Sequence, residues 1–302
     1  MALFGSETPV WRLALFALIP AGLMILRWSY LRWRSFARSM PMQERDWVEP
    51  SYRLQHATID GTKVTIHDLR DFTWRSKHDR DSNWVDATFD VNEIVDVWYV
   101  ISHFHWFRGV AHTMLTFDFS DGRSITASFE VRRVKGVRYR PLKGIWKAYE
   151  TQLVIGTEED LIWFRTHCQN ARIRMYRVGA SLETYQRTFL LLMERANQLK
   201  QAPEWYNSLV KGCLTEIIDL VNHIKPGRIP FTWRGILPGF STYSAMRWGL
   251  IEVWGGFRTT LERARIDLAA CAIGDRSAFT SGIRATLPPR MEDNVAHHGG
   301  SQ

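Results

Sequence analysis

Cysteine is scarce in this chain: Cys168, Cys213 and Cys271 are the only three in 302 residues. Three thiols so far apart exclude a disulfide framework and a cysteine-based zinc cluster, and the odd count leaves at least one of them free. His103, His105 and His112 have no carboxylate or cysteine at metal-binding spacing, so neither a metal nor a cofactor is expected. The sequence contains no internal repeat, no low-complexity block and no nucleic-acid motif. The formal charge of +8 therefore points to lipid headgroups rather than nucleic acid as the anionic partner. The first eleven residues lack Lys and Arg, and no small-x-small site follows the first apolar run. Both absences argue against a cleaved signal peptide.

What is present is a globular composition, 45% hydrophobic, with fourteen Trp, many of them among Arg residues. Tryptophan in such surroundings suits membrane interfaces as well as a core. From Leu13 to Leu26 every residue is apolar, proline or glycine, and Trp28, Tyr30 and Trp33 follow with Arg32 and Arg34. Residues 1–39 are read as an uncleaved single-pass anchor with an interfacial belt. Arg27, Arg32, Arg34 and Arg38 follow the run while only Arg12 precedes its core, and this count favours a cytoplasmic body. Residues 40–61 read as a linker, 62–225 as alternating strands and helices, 226–288 as an aromatic and glycine-rich helical extension, and 289–302 as a disordered tail.

Two strands carry chemistry. In Ala111–Phe119 and Ser124–Val131 the apolar residues occupy odd positions, and Ser120-Asp121-Gly122 fits a three-residue hairpin loop with glycine in the left-handed position. That loop pairs Phe119 with Arg123 and sets His112 opposite Glu130 on the polar face. A two-residue loop would put apolar against polar throughout. A carboxylate there holds an imidazole in one tautomer and stabilises its cation. A surface ion pair on a half-solvated sheet is the alternative.

Further along, Leu214, Ile217, Ile218, Val221 and Ile224 recur at helical spacing. Cys213 stands at the start of that helix, where unpaired N–H groups and the positive dipole end favour a thiolate. The alternative is a small core residue. Taken together, Cys213, His112 and Glu130 form a nucleophile, base and orienting carboxylate.

The order His, Glu, Cys fits a circularly permuted papain-like fold. From about Arg45 to Pro288 the chain resembles the Lnb N-terminal periplasmic domain family. The resemblance is carried by Arg45-Asp46-Trp47, by Val64 to Phe72, by Ala111-His112-Thr113-Met114-Leu115-Thr116-Phe117 with Asp121-Gly122, and by Ser128-Phe129-Glu130-x-Arg132. It continues through Tyr139 to Gly144, Arg195-x-Asn197-x-Leu199, and Trp205-Tyr206-Asn207-Ser208-Leu209 leading to Cys213-x-Thr215. The family usually has Asn-Cys-Thr-Thr where this chain has Gly212-Cys213-Leu214-Thr215.

The resemblance implies an α+β fold of permuted papain-like, NlpC-type architecture behind one transmembrane helix. It implies a thioester on Cys213, with His112 as base and Glu130 as orienter. It further implies a catalytic domain, 40–225, on the periplasmic side of a bacterial inner membrane, against the positive-inside count. The activity implied is transfer of a fatty-acyl group from phospholipid to a lipoprotein N-terminus or another envelope acceptor. A cell-wall amidase or peptidase with the same triad and a non-catalytic envelope binding module remain the alternatives. Arg70, Lys143, Tyr206 and Asn207 are polar residues of the matched motifs and are expected to bind substrate.

Overall fold

A computed structural model describes residues 20–31, 45–230 and 232–290. The chain divides into two compact units, Met1–Met42 and Gln43–Gln302. In the first, residues 20–31 form a helix, α1, on which Leu23, Met24, Ile25 and Leu26 are all exposed. Among the described residues no helix is long and apolar enough to cross a membrane. The rest of the predicted anchor, including the apolar residues 13–19, lies outside the described residues.

The second unit is a mixed α+β body built on one sheet. Its strands are β1 (His56–Asp60), β2 (Lys63–Arg70), β5 (Trp84–Asp90), β6 (Ile94–His103), β7 (His112–Phe119), β8 (Ser124–Arg132), β9 (Glu150–Thr157) and β10 (Arg172–Arg177). The order is β1-β2-β9-β8-β7-β6-β10, with β5 also pairing β2, and β3 (Thr73–Trp74) with β4 (Arg80–Asp81) forms a separate ribbon. Neighbours run antiparallel except for the single parallel bridge Arg70↔Gly156 between β2 and β9.

Strand β1 lies inside the segment read as a linker: it pairs with β2 across a turn at Gly61, whose φ of 58° suits glycine. The proline and glycine that suggested a linker bound a hairpin instead.

The β7–β8 hairpin has the predicted register. Phe119 N–H donates to Arg123 C=O at 2.9 Å, Gly122 sits at φ 84°, and the ladder runs from Asp118↔Ser124 to Leu115↔Ala127. Leu115, Phe117 and Phe119 face the long helix α3 (Leu182–Gln201), where Phe189 meets Phe117 and Phe119 ring to ring at 5.3 and 5.7 Å. The opposite face is not solvated, as a half-exposed sheet would be: Thr116, Thr126 and Ser128 are fully buried. It is covered by α2 (Glu158–Trp163) and α9 (Phe279–Arg284).

Helix α4 (Cys213–Ile224) packs on β7, β8 and α3. The chain is then irregular through α5 (Trp233–Ile236), α6 (Ser241–Arg247), α7 (Phe257–Arg263) and α8 (Asp267–Ala272). The C-terminal region expected to be disordered is anchored as far as Arg290, which donates to Asp96 at 2.6 Å and to Val95 C=O at 2.9 Å. Residues 291–302 lie outside the described residues.

Candidate active site

His112 opens β7, and Cys213 is the first residue of α4. The loop Tyr206–Gly212 delivers the cysteine. Asn207 Oδ1 accepts from the N–H groups of Leu209 and Val210 at 2.9 and 3.2 Å, and its Nδ2 donates to Ile145 C=O at 3.1 Å. Asn207, expected to bind substrate, is therefore occupied at both ends of its amide in shaping the loop. Gly212 caps the helix without a side chain, and Thr215 compensates: its hydroxyl accepts from Gly212 N–H at 2.7 Å and donates to Gly212 C=O at 3.1 Å. The N–H groups of Cys213 and Leu214 belong to the unpaired first turn, and neither has a protein partner among the described residues.

The imidazole of His112 lies between two partners. One is the Cys213 thiol, which the imidazole draws toward the thiolate. The other is Ser128, whose Oγ is 2.6 Å from His112 Nε2 and donates to Glu130 Oε1 at 3.0 Å. Since that hydroxyl hydrogen goes to Glu130, Nε2 must carry the donated proton, and Nδ1 is left as the basic nitrogen for the thiol. Glu130 itself is 3.8 Å from Nε2. The β7–β8 ladder ends at Leu115↔Ala127, and beyond that point the Ser128 hydroxyl lies between His112 Nε2 and Glu130 Oε1. The expected His–Glu contact is thus a His–Ser–Glu relay.

A second group missed by sequence reasoning completes the relay. Arg165 donates to Glu130 Oε1 at 2.6 Å and to Leu161 C=O at 2.8 Å. It reaches the site because the segment read as one helix, 158–168, changes after Trp163 into a wide π-turn, Phe164–Cys168. Such wide turns displace side chains from the regular helical track. No spacing pattern in the sequence marks this, although an arginine near the helix end was visible.

The charges follow from these contacts. Burial alone would raise Glu130, but Arg165, His112 and Arg70 outweigh it and hold the carboxyl down at about 2. Burial alone would also raise the Cys213 thiol. The charge of the His112 imidazole, with a smaller contribution from Thr113, brings the thiol down to about 7. The Thr113 hydroxyl is buried and has no hydrogen-bond partner among the described residues. A thiolate is therefore populated near neutral pH, which is the reactive form.

The other expected substrate residues are dispersed. Arg70 is buried and bound to Asp160 through two nitrogens at 3.0 and 2.7 Å. Lys143 is exposed in the short turn Pro141–Ile145. Tyr206 does lie at the thiol: its hydroxyl is beside Gly212, and burial first, then Cys213, pushes its pKa up.

Beside the site lies a cavity of about 440 Å3, lined by Leu214, Ile217, Ile218 and Val221 of α4, by Tyr99 and Leu115 of the sheet, and by residues of the C-terminal extension including Trp248. It begins one residue along the helix from the nucleophile, on the apolar side of α4. Its size is that of a small-molecule site, about 300–1,000 Å3.

No curated protein and no solved structure matches the chain. The family model described as the Lnb N-terminal periplasmic domain matches residues 80–239, just over half of the chain. The matched segment includes His112, Ser128, Glu130, Arg165 and Cys213, and its description as periplasmic gives the body an envelope location. The chain belongs to the Lnb N-terminal periplasmic domain family.

Proposed function

We propose that the protein is a membrane-anchored thiol acyltransferase. It would pass a fatty-acyl group from phospholipid, through a thioester on Cys213, to an amine or hydroxyl of an envelope acceptor such as a lipoprotein N-terminus. The observation that carries the reading is the Cys213 thiol, held at about 7 beside His112 at a helix start. In this reading residues 1–39 are the anchor. The nucleophile helix following the sheet is the arrangement of a circularly permuted papain-like enzyme.

The residues supply each step. His112 Nδ1 takes the Cys213 proton, and the thiolate attacks the ester carbonyl of the donor. The tetrahedral oxyanion accepts hydrogen bonds from the first-turn N–H groups of Cys213 and Leu214. On collapse, the C–O bond of the ester breaks and His112 returns its proton to the leaving alkoxide, so the lysolipid departs as an alcohol. The acceptor then attacks the thioester, His112 removes its proton, and Cys213 leaves as thiolate. While His112 is cationic, the relay through Ser128 places the negative charge of Glu130 behind it, and Arg165 keeps that carboxylate ionised.

A cell-wall amidase would use the same groups. The apolar lining of the cavity next to Cys213 favours an acyl chain over a polar peptide. Intact mass spectrometry of membrane-purified wild type beside Cys213→Ser tests the proposal. A hydroxylamine-labile fatty-acyl mass on the wild type, absent from the variant, is expected. No adduct after incubation with phospholipid would refute it.

A further inference from the structure

Four segments at the site are joined in pairs, and their composition differs from that of the rest of the body. Residues 103–111 run into His112, and residues 206–212 run into Cys213. Residues 137–148 are tied to the second loop, where Ser208 N–H donates to Gly144 C=O at 3.0 Å and Asn207 to Ile145 C=O at 3.1 Å. Residues 232–248 are tied to the first, where Gly239 N–H donates to Gly109 C=O at 3.0 Å. Here glycine is required, because a Cβ on Gly239 would fall 1.8 Å from Arg108 C=O. Phe107, Phe240 and Trp233 continue the contact edge to face at 6.0 and 5.8 Å.

These loops expose large apolar side chains. Trp106 is 88% exposed, Trp146 65%, Val210 58%, Phe104 53% and Trp233 52%. A soluble surface rarely gathers so many around one site without a partner.

The same four segments contain eight Lys and Arg and no Asp or Glu. From residue 43 onward the chain has 34 basic and 30 acidic residues. The loops thus hold more than the whole positive surplus of the body, and the remainder of the body is net acidic. None of Arg108, Arg138, Arg140, Lys143 and Arg247 has a carboxylate partner among the described residues. Cations left unpaired beside exposed tryptophan are the composition of a surface that meets lipid headgroups. The exposed aliphatic tip Leu209-Val210 has nothing to offer a phosphate chain or a base edge, but it suits the acyl boundary of a bilayer.

We infer that these loops form a docking face for an anionic lipid bilayer, which brings the mouth of the Cys213 site to the membrane surface. The inference deepens the acyltransferase reading and rests on it, since it names the surface from which the acyl donor is drawn. It assigns Trp106, Trp146 and Trp233 to the interface and Arg108, Arg140 and Arg247 to the headgroups.

Hydroxyl-radical footprinting of the full chain in lipid nanodiscs tests it, with oxidation read by peptide mass spectrometry. In discs containing anionic phospholipid, Trp106, Trp146 and Trp233 should oxidise about threefold more slowly or better than in zwitterionic discs. High salt should remove the difference. Tyr52 and Leu268, exposed elsewhere on the body, should not change. The variant Arg108→Glu/Arg140→Glu/Arg247→Glu should lose the protection.

Equal oxidation in the two kinds of disc overturns the docking face. The footprint of Cys213→Ser separates this from the chemistry. Protection without an acyl adduct on the wild type retains the docking and removes the acyltransferase reading. An adduct without protection does the reverse.

Discussion

The two ends of the β7–β8 hairpin are built from the same kinds of residue and come to opposite conditions. At the far end Asp118 accepts from Trp98 Nε1 at 2.7 Å, from Ser124 at 2.6 Å and from Arg284 at 2.8 and 2.7 Å. Arg284 also donates to Glu158 at 2.7 Å, and Glu158 accepts from Thr280 at 2.9 Å. Burial pushes Glu158 up to about 7 against the pull of Arg284. Every group in this cluster faces another protein group.

At the near end a carboxylate, a serine and an arginine recur as Glu130, Ser128 and Arg165, but the chain of hydrogen bonds ends on an imidazole beside a thiol. The closed network holds α2 and α9 to the sheet. The open one points its charge at a nucleophile. Acidic, hydroxylic and cationic residues on one sheet face do not by themselves mark a site. The unfinished end of the network does.

The comparison is broken most forcefully at the closed end. Arg284→Met leaves two buried carboxylates without their cation and should destabilise the body by about 3–5 kcal/mol, as removal of one partner from a buried network does. Urea unfolding measures this. The thioester should still form on the variant that remains folded. A variant as stable as wild type would show that the far network is not the structural one.

A smaller effect is expected at the open end. Ser128→Ala removes the hydroxyl between His112 and Glu130 and leaves 3.8 Å between them. The rate of thioester formation should fall about tenfold, the value of one hydrogen bond to a charged network, with little loss of stability. An unchanged rate would make the relay incidental.

Much of this was legible in the sequence, for reasons that can be named. The hairpin register follows from a glycine that accepts φ 84° and from alternation that a one-residue slip would reverse. Cys213 at a helix start follows from the spacing of Leu214, Ile217 and Ile218. The relay was not legible. Serine and glutamate two residues apart share a face, and only side-chain geometry decides which of them meets the imidazole. Arg165 arrives from a π-turn 35 residues away in sequence, which no periodicity announces. Arg70 and Asn207 were legible as polar residues of the matched motifs, but motif membership does not separate groups that hold the fold from groups that touch substrate. The four loops were legible in composition, yet they assemble into one basic and aromatic rim only through the contacts of Gly109, Gly144 and Gly239.

The central claim, that His112 turns Cys213 into a nucleophile, has a control within the molecule. Cys168 and Cys271 are raised above the ordinary thiol range, in each case mainly by burial. The measurement is the rate of alkylation by a small iodoacetamide at each cysteine against pH, resolved by peptide mass spectrometry, in wild type and His112→Ala. The thiolate forms as pH rises, so Cys213 in the wild type should gain reactivity through a midpoint near 7, while Cys168 and Cys271 react only at higher pH. In His112→Ala the Cys213 midpoint should move upward, to about 8.5 or beyond. A Cys213 that titrates together with the other two, or is unmoved by loss of the imidazole, would contradict the account.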